Sequence, residues 1–251
     1  MDELPDIYDT APKKKGEMPF LEHLEELRHR LIKAILAVAI MAIIAFYFSE
    51  HIFKLAIRPL GGVKLHFTEI TGSFMAYLKI SIYTGIVAAL PIVFYQLWKF
   101  VAPGLYPKEK KMVSPLVLIS VLLFLTGASF CFFVVLPFAI HFLVNYAQGE
   151  MTPIITVSSY VSFAGFMLLA FGLSFELPII GYFLGRVGVI SAHTLSRGRS
   201  YAIVLIVAFA GIVTPTPDIF NQMLLAVPLY ILFEVTIIVV RLTARKKETE
   251  N

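Results

Sequence analysis

The sequence predicts an all-α protein that crosses a membrane several times. Of its 251 residues, 58% are hydrophobic and only 15% are charged, and the mean hydropathy is +0.82. An ordinary soluble surface cannot be made from this composition, so lipid is the expected solvent. Because unpaired backbone amides are costly in hydrocarbon, and because the apolar runs are long and do not alternate, helices are favoured over a β-barrel.

Six apolar runs are the predicted spans. The fifth is short: at about 1.5 Å per residue it reaches only about 21 Å, against a hydrocarbon layer of about 30 Å. It must therefore thin the bilayer locally or shelter against neighbouring helices. The runs are residues 31–48, 74–101, 115–136, 160–184, 200–213 and 223–240. They define a membrane domain over 19–241, between a disordered cytoplasmic tail at 1–18 and a second cytoplasmic tail at 242–251.

Basic residues predict the orientation. They cluster before the first run, after the second and fourth, and after the sixth, whereas the opposite loops hold few of them. Since Lys and Arg are enriched on the cytoplasmic side, both termini are expected in the cytoplasm. The net charge of +4 is therefore attributed to topology, and no nucleic-acid motif accompanies it.

An amphipathic segment precedes the first run. Apolar residues recur at helical spacing from Phe20 to Leu31, with charged residues between them. One interpretation is a helix that lies along the cytoplasmic interface before the chain turns into the membrane. The alternative is a solvated helix whose charges form i,i+4 pairs such as Glu26 with Arg30.

Prolines lie in or at the ends of the spans, and each removes a backbone donor. A curved bundle is expected from them, whether the bends serve packing or a moving hinge. The prolines are Pro91, Pro115, Pro137, Pro178 and Pro228.

Catalytic and metal chemistry find little support in the sequence. The six histidines are scattered, the single Cys131 lies in an apolar run as a small buried residue, and no Walker A run or G-x-S-x-G elbow is present. The predicted protein is not an enzyme and needs no cofactor or metal. Two polar residues inside spans are candidate sites: Glu176 in the fourth run and Gln96 in the second. Each has a plain alternative as a hydrogen-bonding group that fastens two helices.

Four ordered strings resemble one known family, the TatC family. Residues 23–31 (HLEELRHRL) are similar to its H-L-x-E-L-R-x-R-L signature, and 91–109 to its P-x-x-x-Y-Q-x-W-x-F-x-x-P-x-L-x-x-x-E stretch. Residues 170–178 (AFGLSFELP) and 214–218 (TPTPD) followed by Gln222 resemble its fourth-span and fifth-loop strings. The resemblance runs from about Pro19 to Arg241.

The resemblance implies a cup-shaped bundle of six helices, with the fifth and sixth short. It also implies a core subunit of the twin-arginine translocase, which moves folded proteins carrying twin-arginine signal peptides and draws energy from the proton gradient. Implied partners are single-span TatA- and TatB-type subunits, signal peptides, membrane lipid and further copies of the complex, in the bacterial inner membrane.

The resemblance also assigns residues. Glu26 and Glu109 correspond to signal-peptide-binding carboxylates, flanked by Phe100, Leu105 and Tyr106, with Arg28 orienting the N-terminal segment. Carboxylates suit this role because guanidinium groups pair with them bidentately. Glu176 would face the concave wall and meet a signal peptide or a partner helix. Further family positions on the outer side are Pro59, Asp218 and Gln222, for which loop punctuation and helix capping are the alternatives.

Two other protein classes were weighed. A secondary transporter would need inverted repeats and broken helices around a midplane site, and only Glu176 hints at one. An intramembrane enzyme would need a nucleophile, base or metal set that the sequence does not offer. Two departures from the family pattern are an N-terminal extension at 1–18, which is longer and more charged than expected, and a first outer loop at 68–74, which matches weakly.

Overall fold

The first helix is a single long rod. The computed structural model describes residues 20–67, 69–101, 113–146, 154–213 and 219–249, and α1 (Phe20–Tyr47) opens it with 28 residues. The N-terminal segment does not lie apart at the interface and then turn inward, because nothing between Glu22 and Tyr47 breaks the helix. No proline or glycine occurs there, so the charged turns continue directly into the apolar ones.

Short elements follow at one end of the bundle. Helix α2 (Ser49–Ala56) leads into a 3₁₀ turn (Arg58–Leu60), which Gly61 ends at a φ of +60°. Strand β1 (Leu65–His66) then pairs in parallel with β2 (Ile155–Thr156), Leu65 opposite Ile155. The sequence did not predict this strand pair, which is too short to leave a periodic signal. We call this side of the molecule the strand-pair end. The opposite side, where α1 begins, is called the N-terminal end.

The second and third spans respond differently to their prolines. Helix α3 (Gly72–Val101) accommodates Pro91 and runs through 30 residues. The third span consists of α4 (Val113–Phe130), a π-helical turn (Cys131–Val135) and α5 (Leu136–Tyr146). Pro137 lies just after this turn and cannot donate to the preceding turn, so the backbone widens there.

The fourth predicted span is two helices. Helix α6 (Val157–Ser174) begins with Thr156 as its N-cap, and α7 (Leu177–Val187) begins two residues after Phe175 with Pro178 in its first turn. Proline suits that position because its missing N–H has no helical partner there. Helix α8 (Ala192–Arg197), capped by Ser191, then returns the chain to the next span.

The last two spans form an unequal hairpin. Helix α9 (Arg199–Val213) has 15 residues, and α10 (Ile219–Thr249) has 31. The predicted shortness of α9 is confirmed, because its apolar part is only Arg199–Ile212. The sixth helix is longer than the resemblance implied: its apolar stretch is Gln222–Thr243, and the basic residues beyond it continue the helix. Within the described residues, five helices are long and apolar enough to cross a membrane.

The core has two parts, and each joins three or more spans. One lies toward the strand-pair end and joins α3, α5, α6 and α10 around Tyr160, Phe171 and Leu225. The other lies toward the N-terminal end and joins α3, α4 and α7 around Trp98, Leu116 and Ile179. Cys131 is buried and unpaired, as predicted.

Candidate functional site

A polar stripe lies on α1 at the N-terminal end. His23, Glu26 and Arg30 are each half-buried, whereas Leu24 and Leu27 are exposed. Positions i, i+3 and i+7 share one helical face, so these three polar side chains point the same way. The inward face of this segment is therefore polar, and its leucines face outward toward lipid or a partner.

Glu26 is held by its own helix. Arg30 donates from both Nε and Nη2 to Glu26 Oε1, the Nε contact being 2.9 Å long. The second oxygen, Oε2, is buried and has no hydrogen-bond partner among the described residues. The His23 ring lies near Oε2, with Nδ1 at 3.8 Å. The i,i+4 pair of Glu26 with Arg30, which was predicted as the alternative to an interfacial helix, is therefore present. It involves only one of the two carboxylate oxygens.

An aromatic contact attaches this stripe to the second span. The His23 ring stacks on the ring of Phe100, with centroids 4.3 Å apart and planes 10° from parallel. Phe100 is the penultimate residue of α3, so the stack fixes the beginning of α1 against the end of α3. Glu26 and Phe100 are thereby brought to one place, as the resemblance implied.

Other predicted members of this site are elsewhere or not described. Arg28 is exposed and lies on the face of α1 opposite Glu26, since two residues on a helix are about 200° apart. Glu109, Leu105 and Tyr106 fall in 102–112, outside the described residues. The geometry available is therefore that of the α1 half of the predicted site.

Glu176 occupies a second polar cluster, inside the bundle. It lies between α6 and α7 and is only 5% exposed, and its Oε1 has no hydrogen-bond partner among the described residues. The Ser120 hydroxyl lies near this carboxyl and accepts a 2.9 Å hydrogen bond from Trp98 Nε1. This arrangement links α3, α4 and the α6–α7 junction. Gln96 lies two residues before Trp98 and so points away from the cluster.

The residues assigned to the outer side lie in separate contacts. Pro59 is buried in the 3₁₀ turn after α2. Gln222 donates from Nε2 to the Val207 carbonyl at 2.9 Å and thereby joins α10 to α9. Asp218 lies outside the described residues. No cluster of three or more His, Cys, Asp or Glu side chains that could hold a metal occurs in the described ranges.

Comparison with known proteins decides the family. The profile described as "TatC: Sec-independent protein translocase protein (TatC)" matches residues 22–228. The chain belongs to the TatC family. TatC of Desulforapulum autotrophicum is 39% identical over 244 residues, which are 95% of this chain and 90% of the relative. TatC of Aquifex aeolicus is 40% identical over 237 residues, covering 92% of this chain and 98% of the relative.

A solved TatC structure has the same fold. The crystal structure described as the twin-arginine translocase receptor TatC matches with a TM-score of 0.80 and 38% identity, over 88% of this chain and 99% of the other. As a TatC-family protein, the chain is a multi-pass protein of the bacterial inner membrane and a component of the Sec-independent translocase complex. It is a transport component and not an enzyme.

Two polar contacts of this TatC-family chain were missed by sequence reasoning. Lys79, a basic residue inside the second apolar run, donates from Nζ to Ser158 Oγ and Ser162 Oγ, both at 2.8 Å, and so joins α3 to α6. Arg199 pairs with Glu234 of α10. A charged residue inside an apolar run indicates such contacts. Glu234 lies inside the sixth run and was not predicted to form one.

Proposed function

We propose that this protein is the signal-peptide receptor of its translocase and that it grips the paired arginines of a leader at the N-terminal end of the bundle. The observation that carries the proposal is the Glu26 carboxylate, half-buried beside the His23 ring that stacks on Phe100, with no hydrogen-bond partner for Oε2 among the described residues. A carboxylate oxygen in that setting is a strong acceptor for a guanidinium N–H. Glu109, with Leu105 and Tyr106, completes the site in the proposal.

The proposal places this end of the bundle in the cytoplasm. Arg28, Lys99, Arg186 and Arg197 all lie at or near it, which agrees with the enrichment of basic residues on the cytoplasmic side. Both termini are then cytoplasmic and the strand-pair end faces outward. Glu176 is only 5% exposed, so in the proposal a signal peptide or partner helix meets it only after neighbouring side chains move aside.

The wider assembly is inferred from the family. The receptor joins single-span TatA- and TatB-type subunits, and further copies of itself, into a complex that moves folded cargo with energy from the proton gradient. The exposed apolar face of α9, which includes Val204, Leu205 and Ile212, offers area for a partner helix or lipid.

Photocrosslinking tests the site. In membranes containing the full chain, a twin-arginine peptide with a photoreactive group beside the arginines should crosslink to wild type. The Glu26→Ala/Glu109→Ala double variant should lose about nine-tenths of that crosslink, because hydrogen bonds to charged groups are each worth about 1.5–3 kcal/mol. Glu22→Ala is the matched control, since Glu22 is an exposed carboxylate one turn earlier on α1. Unchanged crosslinking of a folded double variant would refute the assignment.

A further inference from the structure

Two Arg–Glu pairs of this chain differ in geometry. Arg199 meets Glu234 as a fork, with Nε 2.7 Å from Oε1 and Nη2 2.9 Å from Oε2. Both oxygens of Glu234 are used, and Tyr230 adds a third donor to Oε1 at 3.0 Å. Arg30 instead directs both of its donors at Glu26 Oε1. The bidentate pairing that a guanidinium prefers is therefore complete at Glu234 and incomplete at Glu26.

The incomplete pair leaves one defined acceptor. Glu26 Oε2 is buried and lacks a hydrogen-bond partner among the described residues. A buried, unpaired carboxylate oxygen is unfavourable unless a donor reaches it. The Glu26 side chain as a whole is 20% exposed, but Oε2 itself is covered, so a guanidinium reaches that oxygen only when a neighbouring side chain moves aside. The His23 ring, stacked on Phe100, borders Oε2 on one side.

We propose that Arg30 sets the affinity and the selectivity of the leader site by occupying Oε1 of Glu26, so that an incoming guanidinium is read by Oε2 alone. This inference rests on the proposed function, in which Glu26 receives a leader arginine. Arg30 does not touch the leader in this arrangement; it acts through the carboxylate that it holds.

The contact of Arg30 with Glu26 Oε1 affects both the charge and the hydrogen-bond geometry that a leader arginine meets. Arg30 neutralises most of the charge of Glu26, and a leader arginine then meets a compensated pair with a like charge close by. A single oxygen also cannot match the planar fork of a guanidinium, so at Glu26 an arginine gains little over a lysine. Without Arg30, both oxygens and the full charge become available.

Equilibrium binding to Arg30→Gln tests this. The full-length chain in lipid nanodiscs is titrated with fluorescent leader peptides, one with paired arginines and one with paired lysines, and anisotropy gives each Kd. The variant should bind the arginine peptide about tenfold more tightly, since a second charge-assisted hydrogen bond becomes possible. Its affinity for the lysine peptide should change by less than about threefold, because an ammonium is a point charge without a fork.

Matched variants separate this effect from general disturbance. Arg199→Gln breaks the Arg199–Glu234 pair, which lies outside the leader site, and should leave both Kd values unchanged. Arg30→Lys keeps the charge but gives up the two-donor hold on Oε1, so it should tighten arginine binding by less than Arg30→Gln. Emission of Trp98 and size-exclusion profiles verify that each variant is folded.

The Glu26→Gln variant distinguishes the two levels of inference. If Glu26→Gln weakens leader binding while Arg30→Gln weakens it or leaves it unchanged, the role of Arg30 is refuted and the proposed function stands. If Glu26→Gln binds both peptides like wild type, the Glu26 site itself is refuted, and the role of Arg30 falls with it. The double variant Glu26→Gln/Arg30→Gln should bind as Glu26→Gln does, because Arg30 acts only through Glu26.

Discussion

Trp98 shows how one residue can join several spans. It is the chain's single tryptophan, it is buried at 5% exposure, and its indole donates to Ser120 on the neighbouring α4. Its ring also packs edge-on against Phe183 of α7, with centroids 5.4 Å apart. A tryptophan buried this deeply needs an acceptor for its N–H, and Ser120 is that acceptor.

Replacing Ser120 by alanine should destabilise the protein at this joint. The Trp98 N–H would lose its acceptor, at a cost of about 1–3 kcal/mol for a buried unsatisfied donor. We expect a lower midpoint of thermal unfolding in detergent and a shifted Trp98 emission. Thr126→Ala is the control, because the exposed Thr126 hydroxyl bonds only to the Leu122 carbonyl of its own helix. Equal midpoints for the two variants would contradict the role of Ser120.

At this scale the sequence predicts local pairs and not distant ones. Glu26 and Arg30 are four residues apart, so their contact follows from helix periodicity alone. Lys79 and Ser158 are 79 positions apart in the chain, and their contact depends on how α3 packs on α6. For the same reason the sequence could name Glu176 as a costly buried carboxyl but could not name Ser120 as its neighbour.

Helices α1 and α3 pack backbone to backbone at a glycine of α3. A Cβ placed on Gly85 would lie 2.6 Å from Ala42 Cα and 2.7 Å from Ala42 Cβ. Both neighbours belong to the helix itself, so no flexible side chain can move aside to relieve the overlap. Small residues of this kind let membrane helices pack backbone to backbone.

The variant Gly85→Ala should therefore separate α1 from α3. Overpacking in a tight contact costs about 1–3 kcal/mol, and a lower unfolding midpoint in detergent would reveal it. Gly72→Ala makes the same change at the start of α3, where the new methyl would be 3.9 Å from Phe67, an ordinary contact. A Gly85→Ala protein as stable as Gly72→Ala would show that the two helices are free to shift apart.

Single residues mark two helix beginnings, although the sequence predicted one unbroken span over 160–184 and did not predict the beginning of α7 or of α8. Pro178 fixes the beginning of α7, and Ser191 caps α8. The continuity of α1 was not predicted, because an amphipathic segment can lie flat or continue upright and periodicity does not distinguish them. Contact with the end of α3, through His23 and Phe100, accompanies the upright arrangement.

The orientation of the whole molecule is testable with two histidines. His51 is exposed on α2 at the strand-pair end, and His193 is exposed on α8 at the other. Cys131, the chain's single cysteine, is fully buried, so background labelling of the wild-type chain should be low. In intact spheroplasts, a membrane-impermeant maleimide should label His51→Cys strongly and His193→Cys only after lysis. The reverse pattern would overturn the proposed cytoplasmic placement of the N-terminal end.

Composition and the lengths of the apolar runs were enough to predict the class of the molecule. The number and order of its apolar runs follow from hydropathy, since each run must satisfy its backbone internally. The pairing of spans into two core clusters and one hairpin was not predicted. Those arrangements depend on side-chain fit between distant segments, which hydropathy does not encode.

The fork between Arg199 and Glu234 has a consequence for the lipid around it. It aligns the first residue of α9 with a point on α10 from which the apolar stretch still continues to Thr243. At about 1.5 Å per residue, the turns of α10 that follow Glu234 extend about 13 Å beyond Arg199, the residue at which α9 begins. The shortfall of this hairpin is thus concentrated in one leaflet. We expect headgroups and water on that flank to lie closer to the membrane midplane, at the level of the Arg199–Glu234 pair, and the opposite leaflet to keep its ordinary depth.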